Sequence, residues 1–522
     1  MANKQVSLTV KALLTLGTTL IAATVGAATR TGYIVEAHGN VSAAKAVRSV
    51  GGRITHELPI INGVSATLSA SQVAILRGYA KLQLFADITV KTQGTPVIDK
   101  YARAFIGADL LAAQGFSGSG VTVAVVDTGL WYTSSNVAKD LNGNNKVVAM
   151  YDAIAGVAQN TPDGNGHGSH IASIIGSPNT SIDGRPQGIA PMAKLVGVKA
   201  FDNTGAGSYA NVINGLNWIL ANKATYNVRV VNMSFGAAPQ SYYWNDPINQ
   251  AVMKLWQAGI VVVASAGNFG PNPQTIAVPG NTPYVITVGA MTDNYTPLNP
   301  LDHGIASFSS TGPTVEGFVK PDVVAPGGHM IGYLLDEDSS YIAEHHPEFK
   351  AADNMFVMSG TSQSAAVVTG AVALMLQANP TLTPDQVKCR LMSSASAGVG
   401  LNGKVTYSVF QQGAGLVNAY AAVYSQATNC ANQGLNIAKD IAGTAHYGGQ
   451  AHQDPATHAF YIVDATGKRL SNDGYLWNNS FAKNQGYLWN NGYLWNNGYL
   501  WNQSTVAPAS APSATESWNV QE

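Results

Sequence analysis

Four short stretches carry side chains that could together move a proton and form an ester. Val121-Thr122-Val123-Ala124-Val125-Val126-Asp127-Thr128-Gly129 is an apolar strand pattern that ends in a carboxylate and a turn. A strand end is a rigid mount, and a carboxylate there can accept a hydrogen bond from an imidazole, fix its tautomer and stabilise its cation. Taken singly, an Asp at a strand end is more often a turn or helix-capping residue. His167 stands in Gly164-Asn165-Gly166-His167-Gly168-Ser169-His170, where glycine-rich chain enters an apolar helix. With an ordinary pKa of about 6.5, an imidazole so placed can take and return a proton near neutrality. Zinc binding by His167 and His170 competes with that role, but the intervening Glu and further ligands of zinc motifs are missing. His170 reads instead as a packed, hydrogen-bonded histidine.

Ser362 lies in Met358-Ser359-Gly360-Thr361-Ser362-Gln363-Ser364-Ala365-Ala366-Val367-Val368-Thr369-Gly370, which leads into an apolar helix. At such a loop-to-helix junction the hydroxyl can face a cleft as a nucleophile, while its own N–H, at the positive helix end, faces a developing oxyanion. Alone, Ser362 would be an N-cap. Val262-Val263-Ala264-Ser265-Ala266-Gly267-Asn268 is another strand ending in small residues, and the Asn268 amide can donate to an oxyanion.

Mounting these four groups requires several strands whose ends converge. Residues 96–428 supply them as continuous apolar runs: Val121 to Val126, Leu195 to Val198, Val228 to Met233, Ile260 to Ala264 and Tyr284 to Val288. Such runs indicate strands buried on both faces. With helical stretches between them, at Tyr209 to Lys223 and Asp246 to Gln257, they predict an α/β domain with a mostly parallel sheet and helices on both faces. In such sheets the functional crevice lies at the carboxyl ends of strands, where these residues fall.

Flanking segments differ in kind. Lys4 and Lys11 precede the apolar run Ala12 to Ala23, and Val25-Gly26-Ala27 offers a cleavage site, so residues 1–28 read as a secretion signal and not a membrane span. Residues 29–95 read βαββαβ, a small ferredoxin-like unit. Its strands are Tyr33 to Ala37, Arg53 to Leu58, Gly63 to Leu68 and Leu82 to Val90. Its helices are Ser42 to Val50 and Gln72 to Tyr79, the second capped by Ser69 or Ser71. Residues 429–522 carry GYLWN hexapeptides starting at Gly474, Gly486, Gly492 and Gly498, then an Ala/Pro/Ser-rich end. The hexapeptides suit short strands or turns that stack on each other or on the preceding domain, with a carbohydrate-binding or surface role as the alternative. Cys389 and Cys430 allow one disulfide or two buried thiols. Charged residues make up 11% of the chain and the formal net charge is -1, which favours neither nucleic acid nor an anionic membrane surface.

In the order Asp, His, Asn, Ser, these segments resemble the subtilisin-like serine peptidases. That resemblance spans roughly residues 100 to 425 and is reinforced by Val231-Asn232-Met233-Ser234-Phe235-Gly236 and by Lys320-Pro321-Asp322-Val323-Val324-Ala325-Pro326-Gly327. It implies a secreted endopeptidase, a monomer acting on polypeptides, with Asp127, His167 and Ser362 as triad and Asn268 in the oxyanion hole. Ser234, Phe235 and Gly236 would pair with substrate, and Ala264, Ser265, Ala266 and Gly267 would wall a side-chain pocket. Residues 29–95 would be the propeptide, an intramolecular chaperone and inhibitor removed on maturation. Catalysis would need no cofactor. A structural calcium is common in the family, with Asn179 and Asp183 as candidates here. The chain departs from the family at Ser169, usually Thr, and at Gln363-Ser364-Ala365-Ala366-Val367, usually Met-Ala-Ser-Pro-His. No triad member is lost; the rival readings are an inactive peptide-binding or adhesive relative that uses the cleft and the aromatic tail, and a serine esterase that shares the triad.

Overall fold

The computed structural model describes residues 30–86, 101–180, 187–296, 303–335, 340–398, 406–463, 469–470, 493–494 and 513–514. The signal-like residues 1–28, Asp183 and most of the hexapeptide tail lie outside the described residues. The chain divides into two compact units, Met1–Gly94 and Thr95–Glu522.

The first unit is a four-stranded antiparallel sheet with two helices. Its elements are β1 (Thr31–Ala37), α1 (Ala43–Ser49), β2 (Arg53–Leu58), β3 (Gly63–Leu68), α2 (Ala70–Arg77) and β4 (Leu82–Ala86), and the strands lie in the order β2-β3-β1-β4. Local chemistry sets the helix starts. Ser42 accepts a hydrogen bond from the Lys45 N–H, and Ser69 forms a reciprocal capping box with Gln72. That box selects Ser69 over Ser71 and starts α2 two residues before the predicted Gln72. Val35, Val47, Val64, Leu68, Val73 and Leu76 form its buried core.

The second unit is built on β5 (Thr122–Asp127), β6 (Val147–Asp152), β7 (Lys194–Lys199), β8 (Val228–Met233), β9 (Val261–Ser265) and β10 (Ile286–Thr292). These lie in the order β10-β9-β8-β5-β7-β6, all parallel. Val323–Pro326 adds parallel to β10, and Gly304–Ile305 adds antiparallel at that edge. From β5 the chain moves outward to β6 and back to β7, then crosses to β8, so the order reverses beside β5. A crevice forms at such a reversal, outside the carboxyl ends of the strands. Every residue of β5, β9 and β10 is buried, as the apolar runs predict.

Four helices matter for the site: α3 (His167–Gly176), α4 (Tyr209–Tyr226), α5 (Pro247–Gln257) and α6 (Thr361–Ala378). Ser208 caps α4, and Asp246 caps α5 by accepting from Ile248 and Asn249, so Asp246 precedes the helix it was expected to open. Helix α6 is buried from Thr361 to Leu376 and packs along α3. A helix apolar on all sides is stable only as a core element, and α6 is that element here. β6 was not among the expected strands, although Val147-Val148-Ala149-Met150-Tyr151 is a continuous apolar run; in the fold Val148 is exposed and Val147 and Ala149 are half-buried.

Cys389, on α7 (Pro384–Ser394), is bonded to Cys430, with Cα atoms 5.1 Å apart. This bond closes a loop with a sequence separation of 41 residues. Chain-entropy arguments give roughly 3–4 kcal/mol for a loop of that length. Cys389→Ala/Cys430→Ala should lower the denaturant-unfolding free energy by about that amount, and an unchanged midpoint would show that the bond constrains nothing.

Candidate active site

Asp127 is the last residue of β5, and His167 is the first residue of α3. Their side chains meet at 2.7 Å, Asp127 Oδ1 to His167 Nδ1, and both are fully buried. The Thr128 N–H donates to the same Oδ1 at 2.8 Å. A carboxylate accepting from Nδ1–H leaves the Nε2 side of the ring as the proton acceptor. Close approach of α3 to β5 needs glycine at 168, since a Cβ there would sit 2.2 Å from the Gly129 carbonyl oxygen and 3.1 Å from Asp127 Cβ.

A second carboxylate, which sequence reading missed, holds this junction. Asp163 is fully buried, and its Oδ1 accepts from Thr128 Oγ1 at 2.8 Å, Gly166 N at 2.8 Å and Asn165 N at 3.2 Å. Its Oδ2 accepts from Ser169 N at 2.8 Å and Ser169 Oγ at 2.7 Å. Thr128 Oγ1 accepts in turn from the Gly168 N–H, and Ser169 Oγ from the Trp131 N–H. The hydroxyl at 169 is therefore the group in use, which Ser supplies as well as Thr. Pro162-Asp163-Gly164 looks like an ordinary turn in sequence, so only the fold reveals its partners. Lys199, opposite Asp127 in the ladder, donates from Nζ to the Thr128 carbonyl at 2.7 Å. Burial pushes the Lys199 ammonium down from the usual lysine range, against the pull of Asp163, Asp152, Asp202 and Asp127.

Ser362 is in the first turn of α6 and fully buried. Its Oγ donates to the Ser234 carbonyl at 3.0 Å, and Ser234 Oγ donates back to the Ser362 carbonyl at 2.9 Å. Ser234 follows the last residue of β8. Asn268 comes three residues after the end of β9, and its Oδ1 accepts from Thr361 N at 3.0 Å and Thr361 Oγ1 at 2.8 Å. Helix α6 thus starts at Thr361 despite the unusual stretch behind it, and Gln363 and Val367 are simply buried helix residues.

The expected substrate-binding residues fall on two strand ends. Phe235 is buried with its ring 4.8 Å from the Phe201 ring, and Ser265 Oγ donates to the Phe235 carbonyl at 3.0 Å. Gly236 is partly exposed. Ala264 and Ser265 are inside β9, Ala266 N donates to the Val288 carbonyl, and Gly267 has φ 104°. Their small side chains are buried at the strand end. Asn179, the describable member of the calcium pair, donates from Nδ2 to Asn136 at 3.0 Å. Among the described residues no group of three or more His, Cys, Asp or Glu could hold a metal. His170 is fully buried, hydrogen-bonded through Nε2 to the Phe356 carbonyl at 3.0 Å.

Residues 118–415 match the model of the subtilase family. The serine protease AprX of Bacillus subtilis (strain 168) is 42% identical over 286 residues, which is 53% of this chain and 61% of that protein. This chain therefore spans less than two thirds of AprX. Subtilisin DY of Bacillus licheniformis is 33% identical over 324 residues, covering 62% of this chain and 97% of that protein. Subtilisin E of Bacillus subtilis (strain 168) is 32% identical over 378 residues, covering 71% and 83% respectively.

Asp163→Ala removes five hydrogen bonds around the start of the helix that carries His167, so turnover at the site should fall at least tenfold while the native circular-dichroism spectrum is retained; parental turnover would show that the network is dispensable. Burial, opposed by the Phe356 hydrogen bond, pushes the His170 imidazole down to about 3. A folded pKa below the unfolded one means that stability is fully present above about pH 6.5 and is lost as pH falls toward 3. His170→Asn should make that loss shallower by up to one proton, measured as unfolding midpoint against pH; parallel curves would overturn the assignment.

Proposed function

Because the chain belongs to the subtilase family, the subtilisin-like serine peptidases, we propose that it is a secreted endopeptidase in which Asp127, His167 and Ser362 act as the triad and Asn268 serves the oxyanion. The observation that carries this is the buried 2.7 Å contact between Asp127 and His167. His167 accepts the Ser362 proton on Nε2 while Oγ attacks the peptide carbonyl, and Asp127 stabilises the resulting imidazolium. The oxyanion is held by Asn268 and the Ser362 N–H, the latter at the positive end of α6. His167 then protonates the leaving amine, and water releases the acyl-enzyme. No cofactor enters the cycle.

A polypeptide substrate would lie extended along Ser234–Gly236, pairing through backbone groups, with Ala264–Gly267 walling one side-chain pocket. Small residues there suit a sizeable apolar side chain. Residues 29–95 act as the propeptide, an inhibitor and folding template; the antiparallel β2-β3-β1-β4 unit with its own core supports this. A parallel sheet assembled from distant segments folds slowly, which is where a template helps. Export by residues 1–28 is part of the same proposal, and no helix among the described residues is long and apolar enough to cross a membrane.

Casein and a short ester, offered to the parent and to Ser362→Ala, test the reading. Casein hydrolysis should vanish in the variant; equal proteolysis by both proteins, or none by the parent once residues 29–95 are removed, would overturn it. Ester turnover without casein cleavage would make the chain an esterase. Asn268→Leu should reduce kcat roughly 10²–10³-fold with little change in KM, as loss of the equivalent amide does in subtilisin. Purified Ser362→Ala should also remain a longer precursor by mass spectrometry, and normal maturation of that variant would exclude self-processing.

A further inference from the structure

Ala206–Gly207 forms a two-residue strand just beyond β7, and a segment near the end of the chain, Ser513–Ala514, pairs with it antiparallel. In the register Ser513 opposes Gly207 and Ala514 opposes Ala206. This edge lies beside the site. Ala200 and Phe201 donate their N–H groups to the Asp127 carbonyl, and the Phe201 ring contacts Phe235, the neighbour of Ser234, which accepts from Ser362. Gly207 packs on Phe201 so closely that a Cβ would sit 2.5 Å from its ring. The inner side of the edge is occupied, because Ala206 N donates to Asp202 Oδ1 at 3.1 Å and the Ala206 carbonyl accepts from Asp202 N at 2.8 Å. Amide groups alternate sides along an extended segment, so those of Gly207 are the ones aimed outward at an added strand.

We infer that the C-terminal segment around Ser513–Ala514 docks on the Ala206–Gly207 edge as an intramolecular competitor that polypeptide substrates must displace. Its composition suits the role. Val506-Ala507-Pro508-Ala509-Ser510-Ala511-Pro512-Ser513-Ala514-Thr515 has small side chains, and its prolines bias the residues before them toward extended backbone. Main-chain pairing then supplies the attraction, as in other strand-addition complexes. A tethered segment acts at an effective concentration of about millimolar, so weak pairing is enough to occupy the edge. The tail is anchored before this point too: Tyr493–Leu494, within the hexapeptide repeats, pairs with Tyr447–Gly448. That pairing tethers the segment to the same domain. The consequence for activity rests on the peptidase reading; the docking itself does not.

Hydrogen exchange on full-length Ser362→Ala, which would not process itself, tests the docking directly. Deleting residues 506–522 should speed exchange of the Gly207 amide at least tenfold, as should Ser513→Pro/Ala514→Pro, which removes two strand N–H groups. Unchanged exchange in both variants overturns the inference. The active protein lacking residues 506–522 should then show KM three- to tenfold below that of the full chain at equal kcat. A synthetic peptide of residues 508–518 at about 1 mM should restore the higher KM competitively. Equal KM with and without the segment, or a peptide without effect, overturns the competitor role. Absence of any Ser362-dependent turnover would instead sink the peptidase reading, while the exchange experiment would still decide whether the segment docks.

Discussion

The structure depends on one demand: a fully buried carboxylate and imidazole must be held 2.7 Å apart. Burial strengthens their attraction but makes an unpaired partner costly, so the contact persists only if both backbones are fixed independently. β5 fixes Asp127 by sitting between β7 and β8 in the sheet, with the pairing running through Asp127 itself on the β7 side. α3 fixes His167 through Asp163, whose two oxygens accept from three N–H groups and two hydroxyls around the helix start. Glycine at 168 then lets helix and strand approach to contact distance.

Buried charge recurs at the far side of the sheet with a different purpose. Asp322 Oδ2 lies 2.6 Å from Lys320 Nζ, Oδ1 lies 3.0 Å from Lys388 Nζ, and Oδ2 also accepts from the Thr287 N–H. Lys388 continues to the carbonyls of Pro283 and Val285. One carboxylate thereby ties β10, the Lys320–Pro326 segment and α7 together. Burial is the larger influence on Lys320 and pushes its ammonium down to about 7 in spite of Asp322. A network of this kind stabilises weakly against an apolar alternative, but removing one partner would leave a buried charge uncompensated.

Much of the fold could be read from residue order because its signals are local. The runs at Val121 to Val126 and Val228 to Met233 are strands buried on both faces, and periodicity detects those directly. β6 carries an equally continuous run, Val147 to Tyr151, and was left out, while the exposure of Val148 is a feature only the fold supplies. For the site, residue types and spacing nominated Asp127, His167, Asn268 and Ser362, and the structure places Asp127 against His167 and ties Asn268 and Ser362 to the start of α6. Asp163, Lys199 and Thr361 were invisible for a common reason: each has a partner distant in sequence, Thr128 for the first two and Asn268 for the third, and no local pattern distinguishes such a residue from a turn, a surface lysine or a helix cap. The Cys389–Cys430 bond is similar, since two cysteines permit a bridge but only their approach to 5.1 Å decides for it.

The stretch Gln363–Val367 shows how a helix start can be secured from outside its own sequence. Gly360 has no side chain to cap α6, and no proline follows Ser362 to preset the backbone. Asn268 provides the cap instead, accepting both the N–H and the hydroxyl of Thr361. With the carbonyl end of its amide committed to the helix, the orientation of the NH2 end follows from covalent geometry. In the proposed cycle, capping α6 and aiming a donor at the oxyanion beside Ser362 would therefore be the same act. Changes within residues 363–367 can be absorbed by the packed body of α6, whereas a change at 268 alters the helix start and the donor together.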